Sequence, residues 1–223
     1  MSPSAPATLA ENCLRNSHQT SSGGTPKSLA SPEVRAFRES LLRQSHINQL
    51  TSFVHRLRDA SGPGFRIPYF DPLDGGMDAE VLFLLEAPGP KAVASGFVSR
   101  DNPDESAKNF FLMNAAAGIE RKRTVIWNVV PWYVGSGRKI RPATAADVRQ
   151  ADEWLLALLS LLSHLRFVVL VGQKARYAKH QIEVSRPDVE LLEIPHPSPM
   201  FVNRAPGNRE RLQAALLDLS SRL

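Results

Sequence analysis

Two short stretches carry residue types that could do chemistry. Pro195-His196-Pro197-Ser198-Pro199 sets a histidine and a serine between alternating prolines, and because each pyrrolidine ring fixes φ, both side chains are presented from a stiff loop tip. Glu86-Ala87-Pro88-Gly89 ends an apolar run with a carboxylate and a Pro-Gly turn, the form of a tight strand-to-helix connection. Each stretch has an ordinary reading as well, a Pro-rich surface loop with an incidental histidine and a plain connection. Two other chemistries are disfavoured by spacing. Ser198 lies in Pro-Ser-Pro rather than in a Gly-Xaa-Ser-Xaa-Gly elbow, which argues against a serine hydrolase. Gly135-Ser136-Gly137-Arg138-Lys139 lacks both the Walker spacing and the following Ser/Thr, and reads as a flexible glycine-rich loop. The basic run Arg121-Lys122-Arg123 is either a solvated turn or a contact to an anionic partner.

The elements that must position these residues alternate in type. Residues 81–85 form a short continuous apolar run bounded by Gly75-Gly76 and Pro88-Gly89, the pattern of a strand buried on both faces. Runs at 124–130, 167–171 and 189–194 resemble it, and between them lie helical patterns, clearest over 145–163 with its leucine-rich stripe. Ser31-Pro32 reads as an N-cap and first turn, after which Val34, Phe37, Leu41, Leu50, Val54 and Leu57 recur at helical spacing. This predicts one long helix, broken near Ser45 and stopped by Gly62-Pro63-Gly64. Strands alternating with helices predict an α/β fold, a three-layer α/β/α sandwich around a mainly parallel four-stranded sheet. In such sheets ligands sit beyond the carboxyl ends of the strands. Every run is followed there by something polar or turn-like: Glu86-Ala87-Pro88-Gly89, the stretch around Asn128, Gly172-Gln173-Lys174 and His196-Pro197-Ser198-Pro199.

The 223 residues, 43% hydrophobic, suffice for one core without crosslinks. Residues 1–30 are rich in Ser, Thr, Pro, Ala and Gly and predict a disordered tail, with the domain over 31–223. The one cysteine, Cys13, falls in that tail, so no disulfide and no cysteine-ligated metal site can form within the chain. With no apolar run of spanning length and no apolar leader, the expectation is a cytoplasmic protein, a monomer that meets no membrane. Lys and Arg number 27 against 22 Asp and Glu, and the net charge of +5 suits a polyanionic partner without deciding for one.

Together the two motifs resemble those of the uracil-DNA glycosylase superfamily, whose base pocket is built from a Pro-Gly loop after the first strand and a His-Pro-Ser loop after the last. Glu86-Ala87-Pro88-Gly89 looks like the thermophilic iron–sulfur branch, whereas 80–84 and the distance to His196-Pro197-Ser198-Pro199 look like the single-strand-selective monofunctional branch. Trp127-Asn128-Val129-Val130-Pro131-Trp132 is similar to the strand carrying the family's base-reading asparagine, and the likeness runs from about residue 68 to the C-terminus. It implies repair of DNA by hydrolysis of the N-glycosidic bond of a flipped base, with uracil favoured. Asn128 would read the base, since a carboxamide can donate to uracil O4 while accepting from N3–H. Phe97 would stack on the extruded ring, with Ala87, Pro88 and Gly89 against its edge. His196 would hydrogen-bond O2 as negative charge develops. Ser198, Met200, Phe201 and Arg204 would grip the backbone and wedge the base stack, Met200 or Phe201 being the wedge.

The likeness has departures. Ala87 stands where several branches carry the Asp or Asn that positions water, and alanine does no acid–base work, so Glu86 or Asp101 could orient the water, with Glu86 equally readable as a structural carboxylate bonded to nearby backbone. Leu85 replaces the usual glycine, and the cluster cysteines of the iron–sulfur branch are missing, so no metal or other cofactor is expected. No lysine matches a Schiff-base nucleophile, which implies a monofunctional enzyme. Two alternatives stay open: selectivity for hypoxanthine or xanthine, and a protein that binds damaged or single-stranded DNA without cleaving it. The polar stretch from Ser99 to Asp104 receives no role from the likeness.

Overall fold

The computed structural model describes residues 24–136 and 141–223. Six strands occur among them: β1 (Tyr69–Phe70), β2 (Val81–Leu85), β3 (Phe97–Val98), β4 (Thr124–Asn128), β5 (Phe167–Val171) and β6 (Glu190–Ile194). The four longer strands form one parallel sheet in the order β4-β2-β5-β6, and β1 pairs with β3 in a small parallel ribbon. The register aligns Leu84 with Trp127 and Leu170, and Phe83 with Ile126 and Val169, so each aligned set lies on one face.

Helices cover both faces. On the Trp127 face lie α2 (Asn48–Ser61) and α5 (Ala145–Leu161), joined through Phe53, whose ring sits 6.3 Å from Trp127 and 5.8 Å from Trp154. On the Phe83 face lie α4 (Glu105–Ala116) and α8 (Asn208–Ser221), with Phe110 of α4 edge-on to Phe83 at 4.8 Å. The short helices are α1 (Pro32–Ser40), α3 (Pro90–Ser95), α6 (Lys179–Ser185) and α7 (Pro199–Val202). The fold is thus the expected three-layer α/β/α sandwich. Because β2 and β5 are covered on both faces, their side chains are apolar throughout, which is why they read as unbroken runs. Among the described residues no helix is long and apolar enough to cross a membrane.

Three expectations about elements are corrected. The break expected near Ser45 is present, α1 and α2 being separated by turns over 41–47, but the apolar face assigned to the first part is not. Ser31 does cap α1, its Oγ accepting from the Val34 N–H at 3.3 Å, but Phe37 is 55% exposed and the buried side chain of α1 is Arg38. The last strand is an edge strand with Glu190 and Glu193 exposed, charges that discourage pairing with another chain. Of the predicted tail, residues 1–23, Cys13 among them, lie outside the described residues. Residues 24–30 are packed, with Leu29 fully buried and its N–H donated to the Asp101 carbonyl.

Candidate active site

The chain passes from β2 through α4 to β4 on one side, then crosses to β5 on the other side of β2. That reversal opens a crevice at the carboxyl end of β2, the place where α/β sheets bind ligands. A cavity of about 380 Å³ occupies it. Leu85 and the turn 87–90 form one wall, Ile126 and Asn128 the sheet side, His196 and Pro197 a second wall, and the segment from Val98 to Asp104 with α4 the rest.

The turn after β2 and the end of β4 are tied together, since the N–H groups of Val129 and Val130 donate to the carbonyls of Leu85 and Glu86 at 2.8 and 3.0 Å. This fixes Asn128 beside Ala87, Pro88 and Gly89. Asn128 is 3% exposed, and its Nδ2 has no hydrogen-bond partner among the described residues. A buried amide donor left unmade costs about 1–3 kcal/mol, and this one belongs to a residue that lines the cavity.

His196 reaches the cavity from the loop after β6. Gly172, at φ +85°, closes β5 against it, and a Cβ there would stand 3.2 Å from the His196 Cβ. On the other side Asn109 Nδ2 donates to the Pro197 carbonyl at 2.9 Å, pinning the loop to α4. Burial pushes the imidazole below the usual histidine range, against an opposing pull from the Asp104 carboxylate. The ring is therefore neutral near pH 7 and able to donate one hydrogen bond.

The next turn lies outside the cavity. Ser198 caps α7, its Oγ accepting from the Phe201 N–H at 3.3 Å, and Asn208 Nδ2 donates to the Phe201 carbonyl at 2.7 Å. Met200 is 82% exposed, Phe201 is half-buried and Arg204 is exposed. By exposure Met200, not Phe201, is the apolar side chain offered outward.

Three further expected site residues are not on the cavity wall. Phe97 pairs with Tyr69 across the β1–β3 ribbon, its ring 6.4 Å from that of Tyr69, and is fully buried. Successive strand residues point to opposite sides, so Val98 lines the cavity and Phe97 turns away; the aromatic ring on the wall is Phe110. Glu86 does not line the cavity either. Its Oε1 accepts from the Ala143 N–H at 2.6 Å, which fixes the approach to α5. Asp101 is fully buried in an ion cluster, bonded to Arg38 and Arg121 at 2.6 and 2.9 Å.

The Ser99–Asp104 stretch, in which the sequence singled out only Asp101, supplies Ser99, Arg100, Asn102 and Asp104 to the wall. The Asp104 cap on α4, three residues before Ala107, was the signal that could have placed it. The basic run Arg121-Lys122-Arg123 is more than a solvated turn, because its cations are engaged within the protein even though Lys122 is exposed. Arg121 is buried among Asp71, Asp74 and Asp101, Lys122 donates to the carbonyls of Pro72 and Asp74, and Arg123 pairs with Glu80. Of the glycine-rich loop at 135–139, residues 137–139 lie outside the described residues. No three His, Cys, Asp or Glu side chains gather as a metal site would require among the described residues.

The sequence profile of the Uracil DNA glycosylase superfamily matches residues 72–220, more than half of the chain and all of the cavity wall. The chain belongs to the uracil DNA glycosylase superfamily. Membership makes this a uracil-DNA-glycosylase type of repair protein with DNA as its partner. Two solved structures are similar at low identity. One is the solution NMR structure of a candidate uracil DNA glycosylase from Methanosarcina acetivorans, with 15% identity over 64% of this chain and 92% of that one and a TM-score of 0.46. The other is a crystal structure of a single-substitution mutant of UNG from Nitratifractor salsuginis, with 14% identity over 83% of this chain and 98% of that one and a TM-score of 0.46. No curated protein matches this superfamily member.

Proposed function

We propose that the protein is a monofunctional DNA glycosylase that takes a flipped deaminated base, uracil first, into the cavity and hydrolyses its N-glycosidic bond. The observation that carries this reading is the unpartnered Asn128 Nδ2 on the cavity wall. A carboxamide there can donate to uracil O4 and accept from N3–H, whereas cytosine presents the reverse pattern. His196, neutral and desolvated, donates toward O2, where charge accumulates as the bond stretches. Phe110 takes over the stacking task first given to Phe97, and Met200 fills the gap left in the duplex.

A second reading is favoured by the shape of the wall. Ala87 contributes only a methyl group, and a cavity of about 380 Å³ leaves room for a bicyclic base. Hypoxanthine presents the same N–H and carbonyl pair to Asn128 that uracil does. The deciding experiment is alkali-revealed cleavage of single- and double-stranded oligonucleotides containing uracil, hypoxanthine or xanthine. Excision of uracil that disappears in Asn128→Ala is the expected result. Excision of hypoxanthine alone gives the second reading, and binding to all three without product removes both.

A further inference from the structure

The chemistry proposed above lacks one part, because Ala87 cannot orient a water molecule and neither Glu86 nor Asp101 lines the cavity. We propose that Asp104 is the carboxylate that activates the hydrolytic water and faces the cationic sugar. This role rests on the glycosylase reading of the same cavity. Asp104 is the only carboxylic acid among the described residues lining the cavity. It is half-buried at the start of α4, its backbone N–H donating to the Asn102 carbonyl at 2.8 Å. Oδ1 accepts from the Ala107 N–H at 2.9 Å, which sets the orientation of the carboxylate. Oδ2 has no hydrogen-bond partner among the described residues and is the atom left to hold water.

The segment that carries Asp104 is stiff. Asn102 accepts from the Ser95 hydroxyl at 2.6 Å and donates to the Phe97 carbonyl at 2.9 Å, and Asp101 is locked by two guanidinium groups. Asp104 is also close enough to His196 to favour its protonated form. The acid and the imidazole therefore share one site.

The proposed step balances as follows. The C1′–N bond breaks and its electron pair leaves with the base, whose O2 accepts a hydrogen bond from His196. The water oxygen forms the new C1′–O bond, and the proton it loses passes to Asp104 Oδ2 and from there to solvent. The departing base anion is protonated by solvent. Until the new bond forms, the carboxylate charge opposes the positive charge on the sugar.

Asp104→Asn tests this with the fold preserved, because asparagine caps a helix about as well as aspartate. Single-turnover excision from a uracil oligonucleotide is measured beside binding to the same oligonucleotide carrying a non-cleavable 2′-fluoro nucleotide. Loss of a general base predicts a rate about 10²- to 10⁴-fold lower, with binding and Tm unchanged. A second variant, Asp104→Gly, should regain part of its rate when formate is added, which a capping role would not allow. An Asp104→Asn rate within about threefold of wild type overturns the role, as does a rate loss matched by an equal loss of binding or Tm. Absence of excision by the wild type on every base removes the glycosylase reading itself, and this role with it.

Discussion

Two polar regions meet at the segment from Ser99 to Asn102, one closed on itself by ion pairs and the other open on the cavity. On one side is the ion cluster, where Arg38, Arg100 and Arg121 face Asp71, Asp74 and Asp101, all of them buried but Arg121, whose side chain is 8% exposed. Arg121 alone reaches all three carboxylates, at 2.6, 2.8 and 2.9 Å. Burial alone would raise the pKa of Asp71, yet Arg121 and Arg38 outweigh it and hold the group at about 2. On the other side is the cavity, where Asn128 Nδ2 and Asp104 Oδ2 have no partner among the described residues. Charges taken out of water must be paired to be tolerated, so the cluster's carboxylates and guanidinium groups face one another, although Asp74 Oδ2, Asp101 Oδ1 and the Nε atoms of Arg38 and Arg100 have no hydrogen-bond partner among the described residues. The unpartnered atoms on the other side belong to residues that line the cavity.

The cluster also gives the N-terminal segment a purpose. Arg38 projects from α1 to Asp71 and Asp101, and Gly24, at φ +72°, lies where any Cβ would collide with the Asp101 carboxylate. The Ser99 hydroxyl donates to Asp71, and Arg100 donates to Thr124 Oγ1 at 2.6 Å at the start of β4. One wall of the cavity is thus fastened to α1 and to the sheet by charge rather than by apolar packing.

The largest expected effect comes from breaking the cluster. Arg121→Ala leaves three buried carboxylates short of a cation and should cost about 3–5 kcal/mol, seen as a lower denaturant midpoint. If stability holds while excision fails, the cluster is not the structural partner of the pair. Next in size, Asn128→Ala and His196→Ala should each lower single-turnover excision by about 10²- to 10³-fold with the midpoint unchanged. His196→Ala should act on rate more than on binding, and Asn128→Ala on both. A loss of stability instead of rate would make the cavity another structural network.

Acid should separate the regions further. Asp71 has a folded pKa below its unfolded value, so its contribution is present above about pH 4 and is lost as pH falls toward 2, worth about 2 kcal/mol. Asp74, which burial pushes up despite Arg121 and Arg100, works in the opposite direction over its own titration. A stability profile flat between pH 5 and 2 would remove the cluster's ionic character. Gly172→Ala should cost about 1–2 kcal/mol for a left-handed residue and also lower excision, because the new Cβ presses on His196. Met200→Ala has the smallest effect. Stability should stay within about 0.5 kcal/mol, and affinity for duplex DNA should fall only a few-fold, read by fluorescence anisotropy.

Much of the fold could be read along the chain because its signals are local. Buried parallel strands demand continuous apolar runs, and 81–85 and 167–171 end where the structure ends them. Caps and turns are also written in adjacent residues, as at Ser31-Pro32. Asn128, the last residue of β4, and His196, two residues beyond β6, were singled out through the resemblance of their motifs to the glycosylase family, and both line the cavity.

What tertiary structure decided are the facts that depend on direction and on distant partners. Phe97 and Val98 are adjacent, and only the pairing of β3 with β1 determines which of them faces the cavity. Glu86 could have met water or backbone, and the arrival of Ala143 57 positions later settles it. Arg38 resembles any surface arginine until Asp71 and Asp101 fold against it, because burial of a charge is stable only where its partners converge. The sequence by itself determined which strands build the main sheet and which loops end them; long-range packing alone decided which polar groups are consumed in holding the wall and which are left facing the cavity.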